Sequence, residues 1–376
     1  MGTPARRAEP TGAGLVTVDL VAPLPHGGVT GGHRYNAQLI EAARSFGFDI
    51  RAIGSRAGRG SRGDVVVIDS LSAWRSVRWC RRADRPPTVA LVHQYPGGAD
   101  GGRVRRAVRR ALDLAAYRSC DLVVTTGAGV ASDLEANGVA PARIEVVPPG
   151  CDLPTAAERP PLRGGRRLGL LNVSNWLPNK GITDLLDAVA GLPDVSVHLV
   201  GRTDLDSRHE SEIRRRLAHR ELANRVTVHG TVGSAEVASL CAAADVFVFT
   251  SRNESYGTVA TEALALGVPV IGWRLPHLTA LVEDGVNGML VEPGDVEGLA
   301  AAIQRVASDD ALRTALTAGA YRRGRSLPTW GETATGFFGA LTGLIAEPVE
   351  PAQRRSAAGE VDPRESAVVH EQPPGE

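Results

Sequence analysis

Two glutamates, Glu254 and Glu262, enclose seven residues in a segment that passes from a predicted buried strand into a predicted helix. Carboxylates accept hydrogen bonds from vicinal hydroxyls, so each end of the segment suits a sugar ring. The backbone amides near Gly257, Thr258 and Val259 begin the helix, and a helix N-terminus binds anions such as a diphosphate. The segment therefore predicts a sugar-nucleotide site. The alternative is that Glu254 only caps the helix and that Glu262 is a surface residue.

The chain contains a single lysine, Lys180, among forty-two basic residues. It lies in the segment NVSNWLPNKG of residues 172–181, between a predicted strand and a predicted helix. A compact ammonium there acts as a point charge on phosphate. No G-x-x-x-x-G-K precedes the lysine, so the loop is not of the Walker type. An exposed loop lysine without a ligand is the alternative.

A glycine-rich turn, residues 25–32, separates the first predicted strand from the first predicted helix. Its glycines, which include Gly31 and Gly32, let the backbone approach a ligand closely. Their spacing differs from G-x-G-x-x-G, which disfavours a nicotinamide-dependent enzyme. His93 ends another predicted strand on the cleft side of the same domain. A turn without a ligand and a histidine with only structural contacts are the alternatives.

Composition limits the class of protein. The 376 residues carry forty-two basic and forty-two acidic side chains, and 43% of them are hydrophobic. This length suggests two domains, and the zero net charge disfavours a nucleic-acid partner. The N-terminus lacks the apolar region of a secretory signal, and no apolar run reaches the roughly 18 residues of a membrane span. Four cysteines without a C-x-x-C pair disfavour a zinc site or a disulfide framework. We therefore expect a cytoplasmic enzyme.

Short apolar runs alternate with helical patterns along the chain, which indicates parallel sheets covered by helices. The predicted strands are 15–22, 64–68, 88–93, 122–125, 144–147, 168–173, 195–200, 226–229, 246–250, 268–271 and 288–291. Predicted helices include 37–46, 104–116, 182–190 and 299–306. The fold class is α/β, with two doubly wound, Rossmann-like domains that face each other across a cleft. Ligands are expected at the carboxyl ends of the strands.

The predicted organisation has five parts. A flexible tail (1–13) precedes an N-terminal acceptor-binding domain (14–155) and a C-terminal sugar-nucleotide-binding domain (156–329), with a Pro/Gly-rich linker over 148–167. A helix over 330–346 is expected to pack back toward the N-terminal domain. Residues 347–376 hold seven acidic and three basic residues with almost no apolar periodicity, which predicts a disordered tail.

Residues 51–120 hold fifteen arginines and five aspartates, a local charge of +10. The helix predicted within this region carries valine, alanine and leucine on one face and arginine on the other. The simplest interpretation is a solvated helix face. The sharper hypothesis is a patch for anionic lipid or an anionic acceptor, and hence peripheral contact of helix 103–116 with a membrane surface.

These segments together resemble the retaining glycosyltransferases of family 4, which have the GT-B fold. NVSNWLPNKGITDLL resembles the phosphate-loop segment of that family. The segment of residues 225–273, which contains both glutamates, resembles its nucleotide-binding core, and LVEDGVNGMLVEPGD resembles its usual ending. The resemblance covers roughly residues 14–346.

The resemblance implies a role for each site residue. Glu254 contacts the donor sugar and Glu262 the ribose, while His93 lies beside the donor sugar and the reacting centre. Glu254 and His93 are therefore the predicted catalytic residues. The predicted donor-binding residues are Gly31, Gly32, Asn175, Lys180, Ser255, Tyr256, Gly257, Thr258, Val259 and Glu262.

The sequence departs from the family at Asn175, where the family commonly has a phosphate-binding arginine. This change predicts weaker diphosphate binding or reliance on another arginine, such as Arg202. Residues 276–280 also lack a glutamate that the family often has. Asp204 and Asp206 form the D-x-D metal signature of a different glycosyltransferase fold, without its context. We therefore predict that no metal and no cofactor is required.

The predicted function is transfer of a sugar, with retention of configuration, from a UDP- or GDP-sugar to a hydroxyl acceptor. The resemblance implies front-side displacement, in which the leaving diphosphate helps to deprotonate the acceptor. A sugar-nucleotide epimerase of the same fold is one alternative. A non-catalytic partner subunit that binds nucleotide sugars is the other.

Overall fold

Two parallel six-stranded β-sheets form the core of the protein in the computed structural model, which describes residues 14–23, 31–56, 61–98, 102–151, 156–254 and 256–347. The first sheet contains β1 (Val16–Val21), β2 (Phe48–Ile53), β3 (Val65–Asp69), β4 (Thr88–Val92), β5 (Leu122–Thr125) and β6 (Ile144–Val146). The second sheet contains β7 (Leu168–Val173), β8 (Val195–Val200), β9 (Val226–Gly230), β10 (Val246–Phe249), β11 (Val270–Trp273) and β12 (Gly288–Val291).

Helices cover both faces of each sheet. The first half contributes α1 (Gly31–Ala42), α2 (Val77–Cys80), α3 (Arg103–Ser119) and α4 (Ala128–Ala136). The second half contributes α5 (Ile182–Ala190), α6 (Ser207–Leu217), α7 (Ser234–Ala242), α8 (Thr258–Ala265), α9 (Pro276–Thr279), α10 (Val296–Ser308), α11 (Asp310–Gly324) and α12 (Trp330–Ala346). None of the helices in the described part of the chain combines the length and apolarity that a bilayer crossing requires.

The strand order places a switch point in each sheet. The first sheet has the order β2-β1-β3-β4-β5-β6, and the second has β12-β11-β10-β7-β8-β9. In the first sheet, β2 lies on one side of β1 and β3 lies on the other side. In the second sheet, β8 lies on one side of β7 and β10 lies on the other side. The switch points are therefore between β1 and β3 and between β7 and β10. In doubly wound folds the crevice at such a point binds ligands. The predicted α/β class with two doubly wound sheets is confirmed.

The structure differs from the sequence prediction at two elements of the first half. Strand β2, which is absent from the prediction, pairs in parallel with β1 from the register Val16–Phe48 onward. It lies at the sheet edge and alternates apolar with charged residues, so it lacks the continuous apolar run of a buried strand. Helix α1 begins at Gly31 rather than at residue 37, so Gly31 and Gly32 are helical and do not belong to a turn. Residues 25–30 of the predicted turn lie outside the described residues.

The chain returns to the first sheet at its end. Helix α12 begins with a capping box, in which the Thr329 hydroxyl and the Glu332 carboxylate each accept a backbone N–H of the other residue. Its residues Phe337 and Phe338 are buried in one cluster with Val18 of β1. The Phe338 ring stacks on two rings of the first half, those of the residues at positions 46 and 48, at centroid distances of 5.0 and 5.1 Å. Helix α12 therefore covers the N-terminal sheet, while the boundaries predicted for the domains stay predictions.

Candidate active site

A cleft of about 630 Å³ lies where the carboxyl ends of the two sheets face each other. Ten of the twelve predicted site residues line it: Gly31, Gly32, His93, Asn175, Lys180, Glu254, Tyr256, Gly257, Thr258 and Val259. Ser255 lies outside the described residues. Glu262 stands one turn inside α8 and is not among the lining residues. The structure thus brings together segments that are up to 228 positions apart in the sequence, while the roles of these residues stay predictions.

An ion pair joins Lys180 to Glu254 on the C-terminal side of the cleft. Lys180 ends a short 3₁₀ turn after β7, and Glu254 lies in the loop after β10. Because β7 and β10 are neighbours in the sheet, their loops meet at the switch point. Ser251 donates a second hydrogen bond to the Glu254 carboxylate at 3.1 Å. The two paired side chains are 20% and 24% exposed, so a ligand in the cleft can reach both.

The N-termini of α1 and α8 approach each other across the cleft. A Cβ atom added at Gly31 would lie 3.3 Å from the Thr258 hydroxyl oxygen. Gly257, which precedes α8, has a φ of 86°, a left-handed conformation that glycine adopts without steric cost. Each helix end carries a partial positive charge and backbone amides that have no partner within the helix. With Lys180 close by, these two ends form a site suited to a diphosphate.

His93 belongs to a hydrogen-bonded network on the N-terminal side of the cleft. Its Nε2 lies 3.1 Å from Asn36 Oδ1 and 3.4 Å from an Asp69 carboxylate oxygen. Burial alone would raise the pKa of Asp69, but hydrogen bonds from His93, the Leu71 amide and Asn36 outweigh it and keep that pKa below its usual value. A Cβ added at Gly32 would lie 3.1 Å from the His93 ring, so a larger residue at position 32 would crowd the imidazole.

Glu262 pairs with Arg34, a residue of α1 on the opposite side of the cleft. The Arg34 guanidinium also lies 6.0 Å from the centroid of the Trp330 ring. The Arg34 side chain is 34% exposed and that of Glu262 is 15% exposed. Sequence reasoning missed Arg34, because the pairing depends on how the two halves face each other. Its position two residues after Gly32 is the feature of the sequence that could have indicated that Arg34 lies near the predicted donor site.

Asn175 connects two neighbouring loops through a hydrogen bond. Its Oδ1 accepts a hydrogen bond from the Arg202 backbone N–H at 3.0 Å, which ties the loop after β7 to the loop after β8. The Arg202 side chain pairs with Asp204 at 3.1 Å and is not among the residues that line the cleft. Arg202, the substitute that the sequence suggested, is therefore paired outside the cleft, whereas Arg34 contacts Glu262, one of the predicted donor-binding residues.

His277, in α9, is a buried residue next to the ion pair that sequence reasoning did not select. Its ring packs edge-on against Phe249, with centroids 5.7 Å apart. Burial lowers the pKa of His277 to about 4, while the Glu254 carboxylate acts against that shift and Lys180 adds to it. Its Nε2 is buried without a hydrogen-bond partner among the described residues. The His277 side chain therefore packs next to the Lys180–Glu254 pair as a neutral imidazole.

Two opposed, doubly wound sheets with an anion-binding cleft at their carboxyl ends define the GT-B architecture. Profiles of two protein families match the chain. "Glycosyltransferase Family 4" matches residues 14–154, and "Glycosyl transferases group 1" matches residues 158–323. Together they cover nearly the whole described structure. The chain belongs to glycosyltransferase family 4, as the sequence motifs predicted.

Individual relatives are glycosyltransferases from bacteria. A lipopolysaccharide core biosynthesis glycosyltransferase of Rhizobium meliloti is 28% identical over 324 residues, which cover 77% of this chain and 90% of that protein. A D-inositol 3-phosphate glycosyltransferase of Geodermatophilus obscurus is 36% identical over 242 residues. That alignment covers 59% of this chain and about half, 52%, of the relative.

Solved structures share the fold at lower identity. Sucrose-phosphate synthase of Thermosynechococcus elongatus superimposes with a TM-score of 0.73 and 22% identity, over 88% of this chain and 99% of that one. The HepE protein of Anabaena, solved with UDP and glucose, gives a TM-score of 0.72 and 20% identity over 88% and 100% of the two chains. These similarities establish the two-sheet fold independently of the sequence motifs.

Proposed function

We propose that this glycosyltransferase transfers a sugar from a nucleoside diphosphate sugar to a hydroxyl acceptor. The proposed transfer retains the configuration of the anomeric carbon and requires no metal. The observation that carries the proposal is the meeting of Lys180 with two helix N-termini in one cleft, beside a carboxylate at Glu254. This set combines positive charge for a diphosphate with an acceptor for sugar hydroxyls. The UDP in the HepE complexes is in keeping with a UDP-sugar as donor.

In the proposed reaction, the protein stabilises charge on the leaving group. Lys180 and the amides at the start of α8 hold the diphosphate as its negative charge grows, which lowers the barrier to breaking the glycosidic bond. Glu254 accepts hydrogen bonds from the transferred sugar. The leaving diphosphate takes the proton of the acceptor hydroxyl on the same face. His93 lies at the N-terminal side, where it orients the reacting groups.

Donor binding replaces the Lys180–Glu254 pair with two ligand contacts. The ammonium turns to the diphosphate, which is anionic, and the carboxylate accepts hydrogen bonds from the sugar hydroxyls, so both groups keep polar partners in the cleft. Without ligand, the same pair keeps both groups satisfied at 20% and 24% exposure. A partner exchange of this kind avoids the cost of a buried unpaired charge.

Metal independence is part of the proposal and is supported by the contacts of the D-x-D carboxylates. Asp204 pairs with Arg202, and Asp206 caps α6 by accepting the His209 N–H at 3.0 Å. Both carboxylates already have partners outside the cleft. A cytoplasmic setting is also proposed, since none of the four cysteines forms a disulfide.

A thermal-shift panel of UDP-, GDP- and ADP-sugars tests the donor, because a ligand that binds only the folded state raises its apparent stability. With the donor identified, the anomeric configuration of the product by NMR tests retention, and activity after treatment with EDTA tests metal independence. Conversion of the donor without any acceptor would favour an epimerase. Binding without release of the nucleotide from the sugar would favour a partner subunit. Several relatives act on phosphorylated acceptors by name, so inositol phosphates belong in the acceptor panel.

A further inference from the structure

Helix α3 presents its apolar side to the outside of the protein. Val104, Val108 and Leu112, spaced four residues apart, are 78%, 55% and 36% exposed. Residues at this spacing lie on one face of a helix. A surface helix normally turns such a stripe toward the core. Here the opposite orientation leaves an aliphatic ridge uncovered within the described structure.

The arginines on the other side of α3 contact the protein body. Arg110 pairs with Asp133 of α4 at 2.9 Å. The Arg109 guanidinium packs against Gly98, since a Cβ added there would lie 2.9 Å from Arg109 Nη1. Asp113 is buried and accepts the Gly97 N–H at 2.9 Å, and this burial raises its pKa to about 6. The contacts of Arg110 with Asp133 and of Asp113 with Gly97 join α3 to other segments and fix its rotation. The side chains of Arg109 and Arg110 are 19% and 36% exposed, so these two arginines are partly covered and do not belong to a fully solvated arginine face.

The exposed end of α3 is strongly basic. The helix contains six arginines and one aspartate, a formal charge of +5. No described residue forms a hydrogen bond or an ion pair with the side chains of Arg103, Arg105 or Arg106. The segment 73–80, which packs against α3, adds exposed Arg75 and Arg78. The apolar ridge therefore lies among arginines that have no acidic partner in the described part of the chain.

We propose that this ridge, Val104, Val108 and Leu112, binds the surface of an anionic lipid bilayer. The aliphatic side chains enter the boundary between head groups and acyl chains, and the arginines contact anionic head groups. A second copy of the chain fits less well, because it would bring two helices of charge +5 together. The loop between β4 and α3 lines the cleft at His93 and Gly98, so the bound membrane would lie next to the N-terminal side of the site.

Vesicle flotation tests the proposal with the full chain, using phosphatidylglycerol-containing and pure phosphatidylcholine vesicles. The wild type should bind the anionic vesicles and release them at high salt. Replacing Arg103, Arg105 and Arg106 by Gln should weaken binding by about a hundredfold. Replacing Val104, Val108 and Leu112 by Ser should weaken it at least tenfold.

The matched control replaces three other exposed aliphatic residues by Ser, namely Val146, Leu205 and Val228. This control variant should bind the vesicles as the wild type does.

Other occupants of the ridge give different results. A wild type that does not bind anionic vesicles, or whose binding survives the apolar substitutions, overturns the proposal. So does a dimer, seen by light scattering, that the same substitutions dissociate. Protection of α3 from hydrogen exchange that disappears on deletion of residues 348–376 would identify the chain's own C-terminus as the occupant. None of these measurements depends on sugar transfer, so their failure leaves the proposed reaction untouched.

Discussion

The two sides of the cleft hold their functional side chains by different means. On the C-terminal side, Lys180 and Glu254 are charged and neutralise each other. On the N-terminal side, His93 is held by Asn36 and a buried carboxylate, and the helix end of α1 contributes backbone dipoles. A charged side chain in an ion pair can exchange its partner for a ligand, whereas a side chain in a hydrogen-bonded network keeps a fixed geometry. We therefore expect the C-terminal side to contribute ligand affinity and the N-terminal side to position the reacting groups.

Glu254→Gln should give the largest effect on the reaction. The substitution keeps the size and hydrogen bonding of the side chain but removes the charge beside the reacting sugar. One oriented electrostatic contact of this kind is worth on the order of 3 kcal/mol, so kcat should fall about a hundredfold. Steady-state kinetics with the identified donor and acceptor measure it. Glu236→Gln, which breaks an ion pair with Arg159 elsewhere in the same half, is the matched control.

A wild-type kcat in Glu254→Gln would contradict the catalytic role. Glu254 would then act only through its contacts with Lys180 and Ser251, since the N-cap of α8 is Gly257 and no side chain in the described part of the protein caps this helix. The urea denaturation midpoints of both variants should stay close to that of the wild type, because Glu254 and Glu236 do not belong to the buried clusters.

Lys180→Ala should weaken donor binding by about 1.5–3 kcal/mol, the usual loss for a hydrogen bond to a charged group. Isothermal titration calorimetry with the donor measures the change in Kd. The double variant Lys180→Ala/Glu254→Gln sharpens the test, because the two residues contact each other. Unchanged affinity in the single variant would remove Lys180 from the donor site.

His93→Gln should lower kcat about tenfold, the value of one hydrogen bond worth roughly 1.4 kcal/mol. The donor Kd should stay within twofold of the wild type, since the role proposed for the N-terminal side is to position the reacting groups and not to bind the donor. Calorimetry and steady-state kinetics on the same preparation separate the two quantities. A rise in Kd as large as that of Lys180→Ala would break the comparison between the two sides.

His277 makes the stability of the C-terminal side depend on pH. Its pKa of about 4 lies below the value of about 6.5 expected in the unfolded chain, so the unfolded state binds more protons between these limits. The free energy of unfolding should therefore fall as the pH drops through this window, by about 1 kcal/mol at pH 5.5. In His277→Leu this part of the loss should be absent. Urea denaturation at pH 7.5 and 5.5 measures it, and equal losses in both proteins would show that His277 contributes nothing.

The sequence is sufficient to predict the loops that follow buried apolar strands. The buried strand before Glu254 is apolar throughout, and the strand before Asn175 is apolar except for Asn172. Both strands and the loops that follow them can therefore be predicted from the sequence. A parallel sheet then forces those loops to one edge, which is why the separate motifs could be placed in one cleft.

The sequence does not predict features that depend on how large parts of the chain are oriented. Arg34 reaches Glu262 only because the two sheets face each other. The rotation of α3 is set by the contact of its buried Asp113 with the Gly97 N–H and by the pairing of Arg110 with Asp133, and these contacts compete with the burial of Val104 and Val108. Strand β2 gains its stability from one neighbour in the sheet rather than from an apolar run.

The ion pair between Arg34 and Glu262 joins the two sides of the cleft, and substitution of each partner should have opposite effects on the donor. If Glu262 accepts the ribose hydroxyls, the donor must displace Arg34 from it. A partly exposed ion pair is worth roughly 1 kcal/mol, so Arg34→Gln should tighten donor binding by up to about fivefold. Glu262→Gln removes the carboxylate itself and should raise KM more than it lowers kcat, because uniform binding energy is lost. Calorimetric Kd values for both variants decide the question. Weaker binding in Arg34→Gln would mean that Arg34 contacts the donor directly, and it would then supply the cation that Asn175 does not.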